Sequence, residues 1–450
     1  MKKLLLLMLL FLAAGINVSA KSISVGYYNG YYERYPYTAF QFENLTNICH
    51  AFIYLSSDGS LNTSGSSDPW WFAYPELIKA AHDHGVKVSI SVGGWRPISP
   101  TDTNFSKMAA SPAARQKFVT NLVNFIKQNG YDGADLDWEY PKSTDMANYT
   151  ALLTELRQAF NTNGIELLSL AVSATNSTGL DIANIKDKLN WIGLMTYDFT
   201  GSWEKYAYHN SPLYSTPKQS GSVDYSVNYY IGKGMPKEKI CLGLPFYGYK
   251  LNGSDIYGAI SGGSSITYAN ANIARNSGSW DYYWDDVAKA PYMKSKDGKQ
   301  VISYDDTTSI RLKCEYAKSK GLAGVIMWEL HQSYTGSNSP LLETVGKSLL
   351  GVTTGVADNV PVIPMGFELK NYPNPFNPST MINYTVPFTS KVSLRVFDAM
   401  GREVRELFSG EKTAGKYQIE FNAQGLPSGI YFCRLLSGSF STTTKLVLAK

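Results

Sequence analysis

The sequence predicts an α/β fold: a (β/α)8 TIM barrel with a small α+β insertion, followed by a small all-β immunoglobulin-like sandwich. Three observations predict it. From Ser22 to about Leu350, short β-branched or apolar runs alternate with amphipathic helical stretches, and eight strand candidates can be counted. Residues 249–305 are too long for a simple loop and contain Tyr- and Ser-rich alternating segments, which read as an inserted α+β element. After residue 366 the pattern changes to short alternating strands separated by Gly-containing turns. A chain of 450 residues, 44% hydrophobic and 17% charged, is long enough for one large domain and one small one.

In chain order, the first element is a targeting segment. Lys2 and Lys3 precede the apolar run Leu4–Ile16, and Val18-Ser19-Ala20 offers small residues for cleavage. Residues 1–20 are therefore expected to be a signal peptide, with the mature chain starting at Lys21. The apolar run is too short to span a bilayer comfortably, and no later segment is long and apolar enough. Export across the inner membrane is expected, with no integral membrane segment once the signal is removed.

The strand candidates are Ile23–Tyr27, Ile48–Leu55, Val86–Val92, Gly133–Glu139, Leu167–Ser173, Trp191–Tyr197, Ile240–Pro245 and Ala323–Trp328. Each is a short apolar or β-branched run of strand length. Helical spacing appears in Pro75–His84, Ala113–Gln128, Asp145–Asn161, Val223–Lys233 and Thr308–Ser319. Residues 351–366, rich in Gly, Thr, Val, Asp and Pro, read as a linker. Beyond it, Met381–Val386, Val392–Asp398, Lys416–Asn422, Gly429–Leu435 and Thr442–Leu448 are the strand candidates of a domain over 367–450.

The fourth barrel strand carries the chemistry. Asp135, Asp137 and Glu139 stand at alternate positions, with Ala134, Leu136 and Trp138 between them. Successive side chains of a strand point to opposite faces, so the three carboxyls share one side and the apolar residues the other. Crowded, desolvated carboxyls cannot all ionise. The arrangement makes sense if one stays protonated near neutral pH and serves as an acid. The alternative is a solvated strand edge, with Leu136 and Trp138 on the core side.

Barrel enzymes build their sites at the carboxyl ends of strands. Unusual residues collect there in this chain: Tyr27-Tyr28, Ser91-Val92-Gly93-Gly94-Trp95, the three acids, Met195-Thr196-Tyr197-Asp198, Phe246-Tyr247-Gly248 and Trp328-Glu329. Met195 or Trp328 alone would read as packing residues, and Gly93-Gly94 as a tight turn. Their joint placement at one end favours a site.

Composition excludes other classes. The net charge of +4 is slight, and no dense Lys/Arg run marks a nucleic-acid surface, so no nucleic-acid partner is expected. Aromatic content is 13%, with 32 Tyr and 9 Trp, and exposed rings suit the flat faces of sugars. Cys49, Cys241, Cys314 and Cys433 are widely scattered, and no structural disulfide is expected. The five histidines form no HExxH and no zinc-spaced cluster, so neither a catalytic metal nor another cofactor is expected. A monomer is the default.

Taken together, the motifs resemble the chitinases of glycoside hydrolase family 18. The resemblance covers roughly Ser22–Leu350. It rests on the SxGG segment Ser91–Gly94, the DxxDxDxE segment Asp132–Glu139, the MxYD segment Met195–Asp198, Leu244–Gly248, Ser303–Asp306 and Gly324–Trp328, in that order. It implies substrate-assisted retaining hydrolysis, in which the substrate's own 2-acetamido oxygen attacks the anomeric carbon. Glu139 would be the general acid/base. Asp137 would hold the acetamido N–H, Asp135 would share a proton with Asp137, and Tyr197 would orient the acetamido oxygen. Trp328 would form the floor under the sugar. Tyr27, Gly94, Met195, Asp198 and Tyr247 would contact the substrate, and Trp95 and Trp203 would be neighbouring sugar platforms. Many relatives carry Arg where this chain has Tyr249. The implied partner is chitin or chito-oligosaccharides. The alternatives are an endo-β-N-acetylglucosaminidase acting on glycoprotein glycans and a non-catalytic chitin-binding barrel.

Residues 367–450 carry a second resemblance. Asn371–Thr380 (NYPNPFNPST), Val396–Arg402, Ser428–Tyr431 and the terminal Lys445–Leu448 resemble the C-terminal sorting domain of the bacterial type IX (Por) secretion system. It implies passage of the outer membrane through that apparatus to the cell surface or medium. Read from its strands alone, the domain could equally be a carbohydrate-binding module or a spacer.

Overall fold

The computed structural model describes residues 22–29, 36–62, 74–95, 101–175, 179–352, 369–386, 390–412, 415–437 and 440–450. The signal segment 1–20 and residues 353–366 of the linker lie outside the described residues.

Eight parallel strands close on themselves: Ile23–Tyr28, Asn47–Leu55, Lys87–Gly93, Gly133–Asp137, Leu167–Ser173, Trp191–Met195, Ile240–Pro245 and Gly324–Trp328. Each pairs with its sequence neighbour in the barrel, and the eighth returns to the first through Ile23–Gly324 to Gly26–Met327. Alternation sorts the side chains into two clusters. Val25, Tyr27, Cys49, Ala51, Leu167, Trp191, Cys241 and Ile326 pack together, while Ile48, Val88, Leu136, Leu168 and Leu242 join the helices outside. Cys49 and Cys241 thus serve as small buried hydrophobes.

Two strands end earlier than the sequence predicts. The fourth stops at Asp137, where the N–H of Gly94 donates to the Asp137 carbonyl at 2.8 Å. The sixth stops at Met195, leaving Thr196–Asp198 as irregular backbone. The five expected helices form within two residues of their expected ends, as Tyr74–Asp83, Pro112–Asn129, Met146–Asn163, Val223–Gly232 and Thr307–Lys320. Thr101–Ala110, Ile182–Ile185 and Pro340–Val345 are additional helices.

The insertion is a five-stranded antiparallel sheet plus the helix Tyr268–Asn276. Its strands lie in the order Gly263–Thr267, Tyr247–Asn252, Gln300–Ser303, Ala290–Ser295 and Trp280–Asp285. The sheet begins at Tyr247, so the strand-seven motif is also the insertion's first strand.

The C-terminal part forms two antiparallel sheets around a separate core of Ile382, Val392, Leu394, Cys433, Leu435 and Leu446. The five expected strands are present, joined by Leu369–Tyr372 and Glu403–Lys412. Among the described residues no helix is long and apolar enough to cross a membrane.

Candidate active site

The site is built where the strands end. Gly93 and Gly94 adopt φ of 115° and 84°, and a Cβ on Gly93 would lie 2.1 Å from the Asp137 carbonyl oxygen. Only glycine allows this turn to hug the acid-bearing strand. On the far face of that strand, Trp138 stacks on Phe105 with ring centroids 4.9 Å apart. The strand is therefore locked from behind, and its carboxyls face the other way.

Asp135 is fully buried inside the barrel and accepts three hydroxyl hydrogen bonds. Tyr27 Oη and Ser91 Oγ reach its Oδ2 at 2.8 and 3.0 Å, and Ser169 Oγ reaches its Oδ1 at 2.6 Å. Burial raises the Asp135 pKa, and the three hydroxyls oppose that shift. Asp137 is buried with Oδ1 unpartnered. Burial, then the charges of Glu139 and Asp135, push its carboxyl well above the usual range. Glu139, just past the strand end, is raised to about 7, chiefly by burial and further by the charge of Asp198. Bonds from Tyr140 and the Trp95 N–H oppose the shift.

The opposite wall comes from Tyr197 and Asp198. Asp198 takes a left-handed φ of 59° and accepts hydrogen bonds from Tyr247 at 2.5 Å and Tyr249 at 2.8 Å, both at Oδ1. Asp198 lines the cleft, where partial desolvation raises its pKa while the two phenols lower it. Asn210 holds this backbone. Its Oδ1 accepts from the Asp198 N–H at 3.0 Å, and its Nδ2 donates to the Tyr247 carbonyl at 3.2 Å. Trp328 forms the floor, flanked by Tyr27 and Phe52 with ring centroids 5.6 Å away in each case.

The cavity so formed measures about 880 Å³. Tyr27, Trp95, Asp137, Glu139, Met195, Tyr197, Asp198, Trp203, Tyr247 and Trp328 all line it. Two residues of the expected set do not. Asp135 lies beneath Asp137, as the alternation of the strand requires. Gly94, expected to contact substrate, sits in the turn with its N–H on the Asp137 carbonyl. Trp95 and Trp203 are 66% and 61% exposed, so their ring faces are open to a ligand. Sequence reasoning missed Phe52, Tyr140 and Ser169, and it noted Tyr249 only as a departure. The strand-end rule covers neither the middle of strands two and five nor the residue after Glu139. An open cleft with aromatic walls and a carboxyl held protonated near neutral pH can bind a flat polyhydroxylated ring and protonate a leaving oxygen.

A β/α barrel with an acid of this kind in a ring-walled cleft defines a glycoside hydrolase. The chain belongs to the glycosyl hydrolases family 18, whose model matches residues 23–333. Residues 370–449 match the secretion system C-terminal sorting domain. Chitinase A1 of Niallia circulans is 34% identical over 330 residues, covering 61% of this chain and 46% of that protein. A probable endochitinase of Caenorhabditis elegans is 34% identical over 352 residues, covering 68% and 56% respectively. The chain thus spans about half the length of these curated relatives. The crystal structure of the Ostrinia furnacalis Group IV chitinase in complex with allosamidin matches with a TM-score of 0.66 at 27% identity. That match covers 73% of this chain and 99% of the other.

Proposed function

We propose that this enzyme is an endo-acting chitinase, hydrolysing β-1,4 bonds between N-acetylglucosamine units with retention through the substrate's own acetamido group. Glu139 protonates the glycosidic oxygen and then activates water. Asp137 holds the acetamido N–H and offsets the developing positive charge, and Tyr197 donates to the acetamido oxygen. Trp328 carries the sugar ring at the cleavage point, with Trp95 and Trp203 as platforms on either flank. One observation carries the reading: Glu139 opens into the cleft with its pKa raised to about 7, directly above the buried Asp135–Asp137 pair. The names of the relatives point to the same substrate.

The export route is proposed with it. The signal peptide takes the chain across the inner membrane, and the domain over 367–450 takes it through the type IX apparatus to the cell exterior. The matched sorting domain supports this route.

The test is product analysis on chitohexaose, with Glu139→Gln beside the wild type. The wild type should release di- and trisaccharides with initially β-anomeric ends. The variant should lose about 10²- to 10⁴-fold in rate while still binding the oligosaccharide. Cleavage of glycoprotein glycans but not of chitohexaose would replace the substrate, and binding without cleavage by the wild type would replace the enzyme with a lectin-like barrel.

A further inference from the structure

We propose that Ser169, on the fifth barrel strand, is a positioning residue for the hydrolytic reaction: its hydroxyl fixes Asp135 as the charged member of the Asp135–Asp137 pair, leaving the pair's proton on Asp137. The inference rests on the glycosidase reading above and assigns a role to a residue that no sequence motif marks.

The strand register supplies the geometry. Ser91, Asp135 and Ser169 are direct partners on three adjacent strands, and all three are buried at 0% exposure. Tyr27 and Ser91 both donate to Oδ2, and Ser169 donates to Oδ1 at 2.6 Å. A protonated carboxyl oxygen accepts far more weakly than a carboxylate oxygen, so the short Ser169 bond loses strength when Asp135 takes up a proton and therefore favours the carboxylate. Asp137 presents the opposite picture: it is buried and its Oδ1 has no partner, which suits a neutral acid better than an anion.

The groups around Asp135 come from several elements. They are the Tyr27 phenol on strand one, the Cys49 thiol on strand two, Asp137 on its own strand and the Tyr149 phenol, while Glu139 and the Tyr197 phenol act on Asp137. No cation is among them, so the hydroxyls are what hold a negative charge at Asp135. Because the two carboxyls share a proton, they titrate as a pair. Hydrolysis needs one negative charge on that pair: it rests on Asp135 before substrate binds, and the shared proton passes from Asp137 to Asp135 as Asp137 takes the acetamido N–H and offsets the cationic intermediate. The acid limb of kcat/KM therefore reports uptake of a second proton. Removing a donor from the charged form raises the pH at which that uptake occurs.

The test uses the full chain, with kcat/KM on a soluble chito-oligosaccharide measured against pH for wild type, Ser169→Ala and Ser169→Thr. The acid limb of the alanine variant should move up by about one unit, a tenfold weaker hold on the charge. Its alkaline limb should stay in place, and threonine, which keeps the hydroxyl, should restore the wild-type limb. An unmoved acid limb in Ser169→Ala, or an equal shift in threonine, overturns the proposal. Infrared titration of the protonated carboxyls reads the same proton without substrate. Ser169→Ala should retain one more protonated carboxyl through the acid limb, and identical titrations overturn the assignment. If the wild type fails to cleave the oligosaccharide, the chitinase reading falls while the infrared titration still decides the role of Ser169.

Discussion

As the proposed acid, Glu139 couples the reaction to pH and to stability through one number. Its folded pKa of about 7 stands above its ordinary 4.5 because burial disfavours the charged form. An acid must be protonated to donate, so kcat/KM should fall as pH rises through about 7. The same shift acts on folding. Below pH 4.5 the group is protonated in both states and contributes nothing. Between 4.5 and 7 the unfolded chain releases the proton while the folded chain retains it, so folding loses stability with rising pH and the loss is constant above 7. Glu139→Gln removes this dependence. Its Tm should match the wild type near pH 4 and exceed it above pH 7, and equal Tm values at both pH values would contradict the raised pKa. Asp135, Asp137 and Glu139 were legible because alternation in one strand fixes the face each side chain takes. Ser169 was not, because a serine in LLSLAVS reads as a small core residue. Only the closed barrel sets it in register with Asp135.

Elements explain where the reading of the sequence stopped short. Thr101–Ala110 was missed as a helix although Phe105, Met108 and Ala109 are its buried residues, at the helical spacing i, i+3 and i+4. The Thr- and Asp-rich start has low helix propensity, and what stabilises the turn is tertiary: Phe105 stacks on Trp138 behind the acid strand. The segment His209-Asn210-Ser211 carries no periodicity at all, yet it splints the wall of the site. Besides the Asn210 bonds, Ser211 Oγ donates to the Thr196 carbonyl at 2.6 Å and accepts from Lys313 at 2.7 Å, a buried lysine paired with Asp305. Asn210 holds Asp198 in its left-handed backbone, a conformation that costs a non-glycine residue about 1 kcal/mol or more. Asn210→Ala should free that backbone and lower kcat about tenfold. It should also lower stability by roughly 1–3 kcal/mol, since buried hydrogen-bond partners are left unsatisfied. Steady-state kinetics beside thermal unfolding separate the two effects. A lower Tm with unchanged kcat would assign the splint to stability alone.

At the scale of the whole molecule, two hydrophobic cores stand apart in one chain. The barrel cluster draws its residues from Tyr28 to Leu349, and the C-terminal cluster from Phe376 to Leu448, with no residue in common. The C-terminal core repeats the strand alternation: Ile382, Tyr384 and Val386 are buried, while Met381 is exposed and Asn383 and Thr385 are half-buried. That periodicity made five of its strands legible. Glu403–Lys412 escaped because it is an edge strand whose Glu, Arg and Lys side chains break the alternation, a composition that also guards an open edge against pairing with other chains. Each core is closed by its own strands, so each part should fold without the other. Every residue lining the cleft falls between Tyr27 and Gln332, so catalysis should need nothing beyond the barrel. The fragment Lys21–Leu350 should therefore match the full chain in kcat/KM on chito-oligosaccharides within about twofold. The fragment 367–450 should fold alone and stay in the supernatant when mixed with chitin. Retention on chitin would make the C-terminal domain a sugar-binding module as well as a sorting signal. A barrel fragment that folds but has lost activity would show that the two cores are not independent.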